Sequence, residues 1–371
     1  MEKDYFVRPY RPGDEEKIVQ FLQLVFDGWP HFDVKCNPLE HWRWKFEDNP
    51  LKPIIISLGT SDDKIIGCIH RIPRRIKIED SVFLCCSGAD VAVHPNFRKM
   101  GVFKKMDELA KKSEVKSGIK IFYGISSNPI MIKYYSNYRH IFPQGTFAFV
   151  RIKDVDRHLQ MVHIRNANLY KYGFHVLRNL NKFRNTISLA HVLSGPSDQD
   201  FRILDIRSFD ESINTFWDEI KDHYGFIVER SKDYLNWRYC DSRGGDYLIK
   251  IAERDGRILG YIVLRVNKYR RDYPIGYIVD LLTLPDRLDV VSALVRDAIH
   301  NFDDQNINIT KCQIVKNHPY ERIFMRYGFL NSRHRIHIFC IPHAPLGEEL
   351  REYQKSSAKG LHFAYGDYDD I

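Results

Sequence analysis

The 371-residue chain has no cysteine pair at C-x2-C spacing: its seven cysteines, at 36, 68, 85, 86, 240, 312 and 340, are odd in number and scattered. That argues against a zinc or dithiol motif and leaves free thiols in a reducing compartment as the expectation. No run approaches the roughly 20 apolar residues of a membrane span. The opening MEKDYFVRPYRPGDEE lacks the apolar core of a secretory leader. A soluble, cytoplasmic protein is expected. Neither G-x-x-x-x-G-K-[ST] nor G-x-G-x-x-G occurs, so an NTPase P-loop and a dinucleotide fingerprint are excluded. His31, His70 and His94 stand at no spacing that singles them out, and no bound metal is expected.

What is present is material for packed cores. Hydrophobic residues make up 44% of the chain and aromatics 13%, with 23 Phe and 21 Tyr. The length exceeds one ordinary domain of about 100–200 residues and suits two. Lys and Arg number 56 against 48 Asp and Glu, a net +8. Such a balance is compatible with anionic ligands, nucleic acid or a membrane surface and selects none of them.

Internal similarity organises the chain. Asp14 and Asp210 are 196 apart, Trp44 and Trp237 as well as Gly67 and Gly260 are 193 apart, and Asp90/Asp280, Pro95/Pro285 and Pro129/Pro319 are all 190 apart. Six ordered pairs with a slowly shrinking offset argue for a duplication. Each copy reads as a strand, an amphipathic helix, a Trp-bearing helix and a β-hairpin. A buried central strand, a helix, a further strand and a short helix then follow. The fold class is α+β, a mixed α/β arrangement of two tandem domains. The expected divisions are 1–150, a linker at 151–200, a second copy at 201–345 and a polar, acidic tail at 346–371.

The linker is distinctive. Leu169, Tyr172, Val176, Leu180, Phe183 and Ile187 form one helical stripe, with Lys171, His175, Arg178 and Lys182 on the other side. From 151 to 185 eight Lys or Arg stand against two Asp, so +6 of the +8 lies there. The stripe is expected to pack inward with its basic face in solvent. A peripheral membrane contact through 165–187 is the other reading. No nucleic-acid signature accompanies the charge, and no nucleic acid is expected.

Chemistry concentrates in GADVAVHPNFRKMGVFKKMDEL, residues 88–109. A strand ends at Val93, a loop with Pro95, Arg98 and Gly101 follows, and a helix starts near Val102. The first helical N–H groups lack intrahelical partners and the helix dipole is positive there, so a phosphate-bearing ligand is the natural guest. Gly101 permits close backbone approach, and Arg98, Lys99, Lys104 and Lys105 add charge.

The stretch Arg98-Lys99-Met100-Gly101-Val102-Phe103, after Val91-Ala92-Val93-His94-Pro95, resembles the [QR]-x-x-G-x-[GA] pyrophosphate motif of the GNAT superfamily of acyl-CoA-dependent N-acyltransferases. Phe103 departs from the usual small residue. The next strand ends in Ser126-Ser127-Asn128-Pro129 before a Tyr-bearing short helix, as in that superfamily, and HPYERIFMRYGF (318–329) is similar to its closing helix. The resemblance covers 5–150 and 201–345 and implies two GNAT-like domains, each a mostly antiparallel sheet flanked by helices. In the second copy the loop is DRLDVVSA, with two Asp and no Gly, so only the first copy is expected to bind CoA.

The resemblance further implies direct transfer from acetyl-CoA, or another acyl-CoA, to a small-molecule primary amine in a ternary complex. Backbone N–H groups of Val91, Ala92 and Val93 would hold the thioester and pantetheine, and Arg98 to Phe103 the pyrophosphate. Deprotonating an amine of pKa ~10 at neutral pH costs roughly 4 kcal/mol. A base is therefore needed, and Asp90 is the candidate. Its persistence as Asp280 in the copy without the loop favours a structural role instead. Tyr134, whose counterpart is Phe324, is the candidate acid for the departing thiolate, with Tyr135 as rival. Asn128 would hold pantetheine or cap the helix behind it. Trp29, Trp42 and Trp44, with His31 and Phe32, line the acceptor site or pack the second helix. The competing functional class is a non-catalytic module of the same fold that binds a partner or membrane through 151–187.

Overall fold

A computed structural model describes residues 4–136, 145–162, 171–180, 183, 200–269, 272–343 and 360–368; for 135, 136 and 162 it describes the backbone only. The chain divides into two compact units. Unit 1 comprises 1–142, 241–245 and 338–357, and unit 2 comprises 143–240, 246–337 and 358–371.

In unit 1, strands β1 (Phe6–Pro9), β2 (Ile55–Ser61), β3 (Lys64–Ile78) and β4 (Ser81–Val93) are sequential antiparallel neighbours, and β5 (Ile121–Ser126) joins β4 in parallel. The β2–β3 hairpin turns on Asp62 and Asp63, with φ of 47° and 59°, as a tight two-residue turn between right-twisted strands demands. Helices α1 (Glu15–Val25), α2 (Pro38–Phe46), α3 (Val102–Lys116) and α4 (Pro129–Ser136) complete the unit. Asn37 caps α2 in a reciprocal box with Glu40. The Val102, Met106 and Ala110 stripe of α3 packs on Ile66 and Ile69 of β3.

Unit 2 repeats the plan. Strands β7 (Arg202–Ile206), β9 (Leu248–Arg254), β10 (Arg257–Asn267) and β11 (Ile275–Thr283) are antiparallel neighbours, and β12 (Ile309–Val315) joins β11 in parallel. Its hairpin turns on Asp255 and Gly256, again at positive φ. The strand β8 (Phe226–Val228) and helices α7 (Ser212–Ile220), α8 (Lys232–Leu235), α9 (Leu288–Asp304) and α10 (Glu321–Arg326) belong to this unit. The two units share the order and direction of five strands, as the repeated residue pairs lead one to expect.

The units do not follow the divisions read from the sequence. Strand β6 (Thr146–Ile152) pairs with β12 over seven residues, and helix α5 (Val155–Val162) packs Val155 and Leu159 against Ile309 and Tyr273, so residues of the supposed linker are part of unit 2. The reason is the open edge that β12 presents, which a seven-residue ladder satisfies. Strand β13 (Leu330–Pro342) pairs with β6 through its first residues, while from Ile338 onward it belongs to unit 1, where Phe339 and Ile341 pack with Cys86 and Phe122. Residues 241–245 also belong to unit 1: the Arg243 carbonyl lies 2.7 Å from His41 Nδ1, and Gly244 sits on the Trp44 ring.

The supposed polar tail is buried in unit 2 across 361–368. Helix α6 (residues 171–180) reverses the expected orientation of its faces. Tyr172, Val176, Leu177 and Leu180 are exposed, as is Phe183, whereas Phe174 enters the core with Tyr273 and Ile152. Lys171 pairs with Asp156 at 2.6 Å and Arg178 donates to the Ile152 carbonyl. Phe174 and the inward bond of Arg178 fix the rotation against the stripe, while the Lys171–Asp156 pair lies at the surface. Leu169, Lys182 and Ile187 lie outside the described residues. No helix among the described residues is long and apolar enough to cross a membrane.

Candidate active site

Strands β4 and β5 pair only over Cys85–Ser87 and Ile121–Tyr123 among the described residues. Beyond Ser87 the two diverge, and Gly88 to Val93 keep a ladder to β3 alone. One edge of this strand segment therefore offers unpaired backbone groups, which need a partner from solvent or ligand. Val91, Ala92 and Val93 lie on it, with Val91 exposed.

The register of β3 against β4 shifts between Cys68 and His70, so Asp90 and Val91 together oppose Ile69. This is a β-bulge, and Asp90 sits in it at φ 42°. Its carboxylate accepts Lys45 Nζ at 2.7 Å and Trp29 Nε1 at 2.8 Å. Its carbonyl faces His70 Nδ1 at 3.2 Å and Cys68 Sγ at 3.4 Å. Burial pushes the Asp90 carboxyl up, but the Lys45 charge and the hydrogen bonds from Lys45 and Trp29 outweigh it and hold it below the usual range. Burial pushes His70 down to about 4, so the ring is neutral and Nδ1–H can donate. A buried carboxylate already accepting from Lys45 and Trp29 has little capacity left to take a proton from an ammonium ion. Of the two readings of Asp90 open in the sequence, general base or structural residue, the contacts to Lys45 and Trp29 favour the structural one, at the bulge.

After β4, Pro95–Phe97 form a short 3-10 turn capped by His94 Nδ1, which accepts from Asn96 N–H. Arg98 Nε reaches back to the Val93 carbonyl at 3.2 Å. Lys99 and Gly101 take left-handed φ of 66° and 81°, and Gly101 caps α3 without any side-chain acceptor. Conformation explains the glycine, since a Cβ there would find only Tyr5 Oη within 4 Å, at 3.6 Å. Tyr5 Oη–H donates to the Met100 carbonyl at 2.9 Å and pins the loop. The first turn of α3 holds no acidic residue, and Lys99, Lys104 and Lys105 are exposed around it. An uncapped, positively surrounded helix start beside an open strand edge is suited to a pyrophosphate with an extended arm. Val102 is buried in the core, and Phe103 is half-buried against Tyr134 with the rings edge to face at 5.4 Å.

Tyr134 is therefore brought to the first turn of α3. Its hydroxyl donates to Asp107 at 2.9 Å. Asp107 also pairs with Arg71 at 2.7 Å and Lys111 at 2.8 Å, and Arg71 pairs with Glu114 at 2.6 Å. Glu114 in turn meets His343. Burial raises both carboxyls, but Arg71, with Lys111 and Tyr134 at Asp107 and His343 at Glu114, holds each below the usual range. Sequence reasoning missed this network. The available signal was two carboxylates seven residues apart on the α3 face that also carries Met106 and Ala110. Asn128 acts as a cap: its Oδ1 accepts from Ile130 N–H at 2.9 Å. The Tyr135 side chain lies outside the described residues. Trp42 and Trp44 are buried core, His31 is exposed, and Trp29 is spent on Asp90.

Unit 2 is built differently at each equivalent point. Its strands diverge after Tyr277, the counterpart of Ser87, but the gap is filled by the chain itself. His362, Phe363 and Ala364 stand against Asp280, Gln313 and Tyr320, leaving only about 20 Å³. Asp367 pairs with Arg230 at 2.7 Å, and Arg230 Nε donates to Asp280 at 2.9 Å. In the loop Arg287 is bound by Asp289 at 2.7 Å in the first turn of α9. The equivalent gap is thus filled by the chain, and the cation of the loop is already paired.

Residues 7–139 match the family described as acetyltransferase (GNAT) domain. No curated protein sequence matches the chain. Among solved structures, Saccharomyces cerevisiae N-myristoyltransferase with bound myristoyl-CoA is similar at TM-score 0.59 and 10% identity, over 92% of this chain and 83% of that one. The GCN5-related N-acetyltransferase from Anabaena variabilis reaches 0.57 at 10% identity, over 90% and 72%. A probable N-acyltransferase from Enterococcus faecalis reaches 0.56 at 10% identity, over 91% and 71%. At that identity the likeness is one of fold.

Proposed function

We propose, from the premise that residues 7–139 form a GNAT acetyltransferase domain, that unit 1 binds an acyl-CoA and transfers its acyl group to a primary amine. The observation that carries this reading is the pairing of the uncapped α3 start at Gly101 with the open edge of β4. Arg98 to Phe103 would take the pyrophosphate, and the Val91–Val93 backbone the pantetheine and the thioester carbonyl. Amine nitrogen attacks the carbonyl carbon, the C–N bond forms and the C–S bond breaks. Donors placed where the oxyanion develops stabilise that step.

Two protons must move. Tyr134 would give its hydroxyl proton to the CoA thiolate and recover one from solvent. Its donor bond to Asp107 holds the ring in place until then. The ammonium proton leaves to solvent or to the acceptor's surroundings, because Asp90 is committed to Lys45 and Trp29. Acetyl-CoA is the proposed donor; the likeness to an enzyme with bound myristoyl-CoA makes a longer chain the alternative. Calorimetry with acetyl-CoA and myristoyl-CoA, followed by thiol detection of CoA released against a panel of amines, tests the reading. Absence of binding by either donor overturns it.

A further inference from the structure

Unit 2 contains a cavity of about 210 Å³ lined by Arg151 and Lys153 of β6, Arg178 of α6, Ile299 of α9, and Arg326 with Tyr327 and Gly328 at the end of α10. Four cationic side chains share it. Arg151 takes both oxygens of Asp303, at 3.0 and 2.8 Å. Lys153 Nζ donates to the Asp303 carbonyl at 3.0 Å and lies 3.8 Å from the same carboxylate. One carboxylate thus serves two cations. Arg178 and Arg326 have no carboxylate partner among the described residues.

Arg178 shows the strain of this arrangement. Its Nη1 donates to the Ile152 carbonyl at 3.2 Å, while its Nε is buried with no acceptor. Burial and the nearby Arg151 charge lower its affinity for the proton. An unsatisfied, charged donor inside a protein is costly unless something supplies oxygens. Water could fill the space, since each needs about 30 Å³, but water would leave the excess positive charge uncompensated.

We propose that this cavity binds a dianionic oxyanion, a phosphate or phosphate monoester, held between Arg178 and Arg326. Guanidinium groups match tetrahedral oxyanions through paired N–H donors, and the volume admits that group with a small substituent. The site is separate from the acyl-CoA loop in sequence and in unit, and the proposal does not rest on that loop's function.

The test uses the full chain at constant ionic strength. Inorganic phosphate and glycerol 3-phosphate are titrated calorimetrically, with chloride as the control anion. Saturable one-site binding that chloride does not reproduce is expected, weakened about tenfold or more in Arg326→Met. Arg326 makes none of the described hydrogen bonds, so its replacement tests the site without unfolding α6, whereas Arg178→Met also removes the Ile152 contact. Acetyl-CoA affinity should be unchanged in Arg326→Met. Tighter binding of glycerol 3-phosphate assigns the monoester as ligand, and tighter binding of phosphate assigns the free ion. No binding beyond the chloride control, or equal binding by the wild type and Arg326→Met, overturns the proposal.

Discussion

Lys45 Nζ lies 2.7 Å from Asp90 Oδ2, with the lysine side chain 2% exposed and the aspartate 11%. The pair joins α2 to the bulge of β4, within the strand segment with the open edge. Removing one partner strands the other charge in a low-dielectric site. Lys45→Met should destabilise unit 1 by about 3–5 kcal/mol. Lys45→Met combined with Asp90→Asn should recover part of that loss. Urea denaturation of the two single variants and the double variant checks this, and purely additive losses would sink the assignment.

Gly101→Glu should abolish acetyl-CoA binding, because it adds a carboxylate at the helix start and forces a left-handed φ on a residue with a Cβ. The conformational cost alone is about 1–2 kcal/mol. Gly101→Ala should retain weaker binding. Calorimetry separates the two, and Arg287→Glu in unit 2 should leave the affinity unchanged.

Tyr134→Phe should lower kcat by roughly 10²-fold, within the usual range for a general acid, with little change in acyl-CoA affinity. Asp107→Asn keeps the hydroxyl and weakens its anchor, so its kcat should fall less. Steady-state rates with an amine found to be acylated decide this. An unchanged kcat in Tyr134→Phe would remove the residue from the mechanism.

Asp367→Ala should destabilise unit 2 by about 3–5 kcal/mol, since Arg230 loses one of two buried carboxylates. Gly366→Ala should do comparable harm, because a Cβ at Gly366 would overlap Tyr239 Oη. Differential scanning calorimetry is the measurement, and an unaltered transition in both variants would show that 360–368 merely covers unit 2.

Acid should unfold the protein through its buried carboxylates. Asp90, Asp107, Glu114 and Asp280 are all held below their ordinary values, by Lys45, by Arg71 with Lys111, by Arg71 with His343, and by Arg230 with His362, against the opposing effect of burial. A carboxyl with a depressed folded pKa contributes its full stability above the unfolded value near 4. That contribution is lost as pH falls through the folded value. The urea midpoint should therefore fall steeply below about pH 4, and less steeply in Asp107→Asn.

Fold class and duplication were legible because they rest on periodicities and repeated pairs spread along the whole chain. Gly101 was legible because only glycine takes that loop conformation freely. The structural reading of Asp90 and the capping reading of Asn128 were open in the sequence, but the partners of Asp90 were not legible, since they come from distant elements: Lys45 and Trp29 precede it by 45 and 61 residues. The stripe of α6 misled for a related reason. Periodicity identifies two faces, but which one turns inward was set by Phe174 and the Ile152 carbonyl.

The sequence by itself determined a twofold mixed α/β chain in which one copy carries a cationic, glycine-bearing loop before a helix and the other carries two aspartates and no glycine there. Tertiary structure decided where the copies end and what closes the second one. Pairing of β6 with β12 and burial of 361–368 are long-range choices made by backbone edges and cavities seeking partners. Those needs arise only once the strands are assembled, so no local pattern of residues announces them.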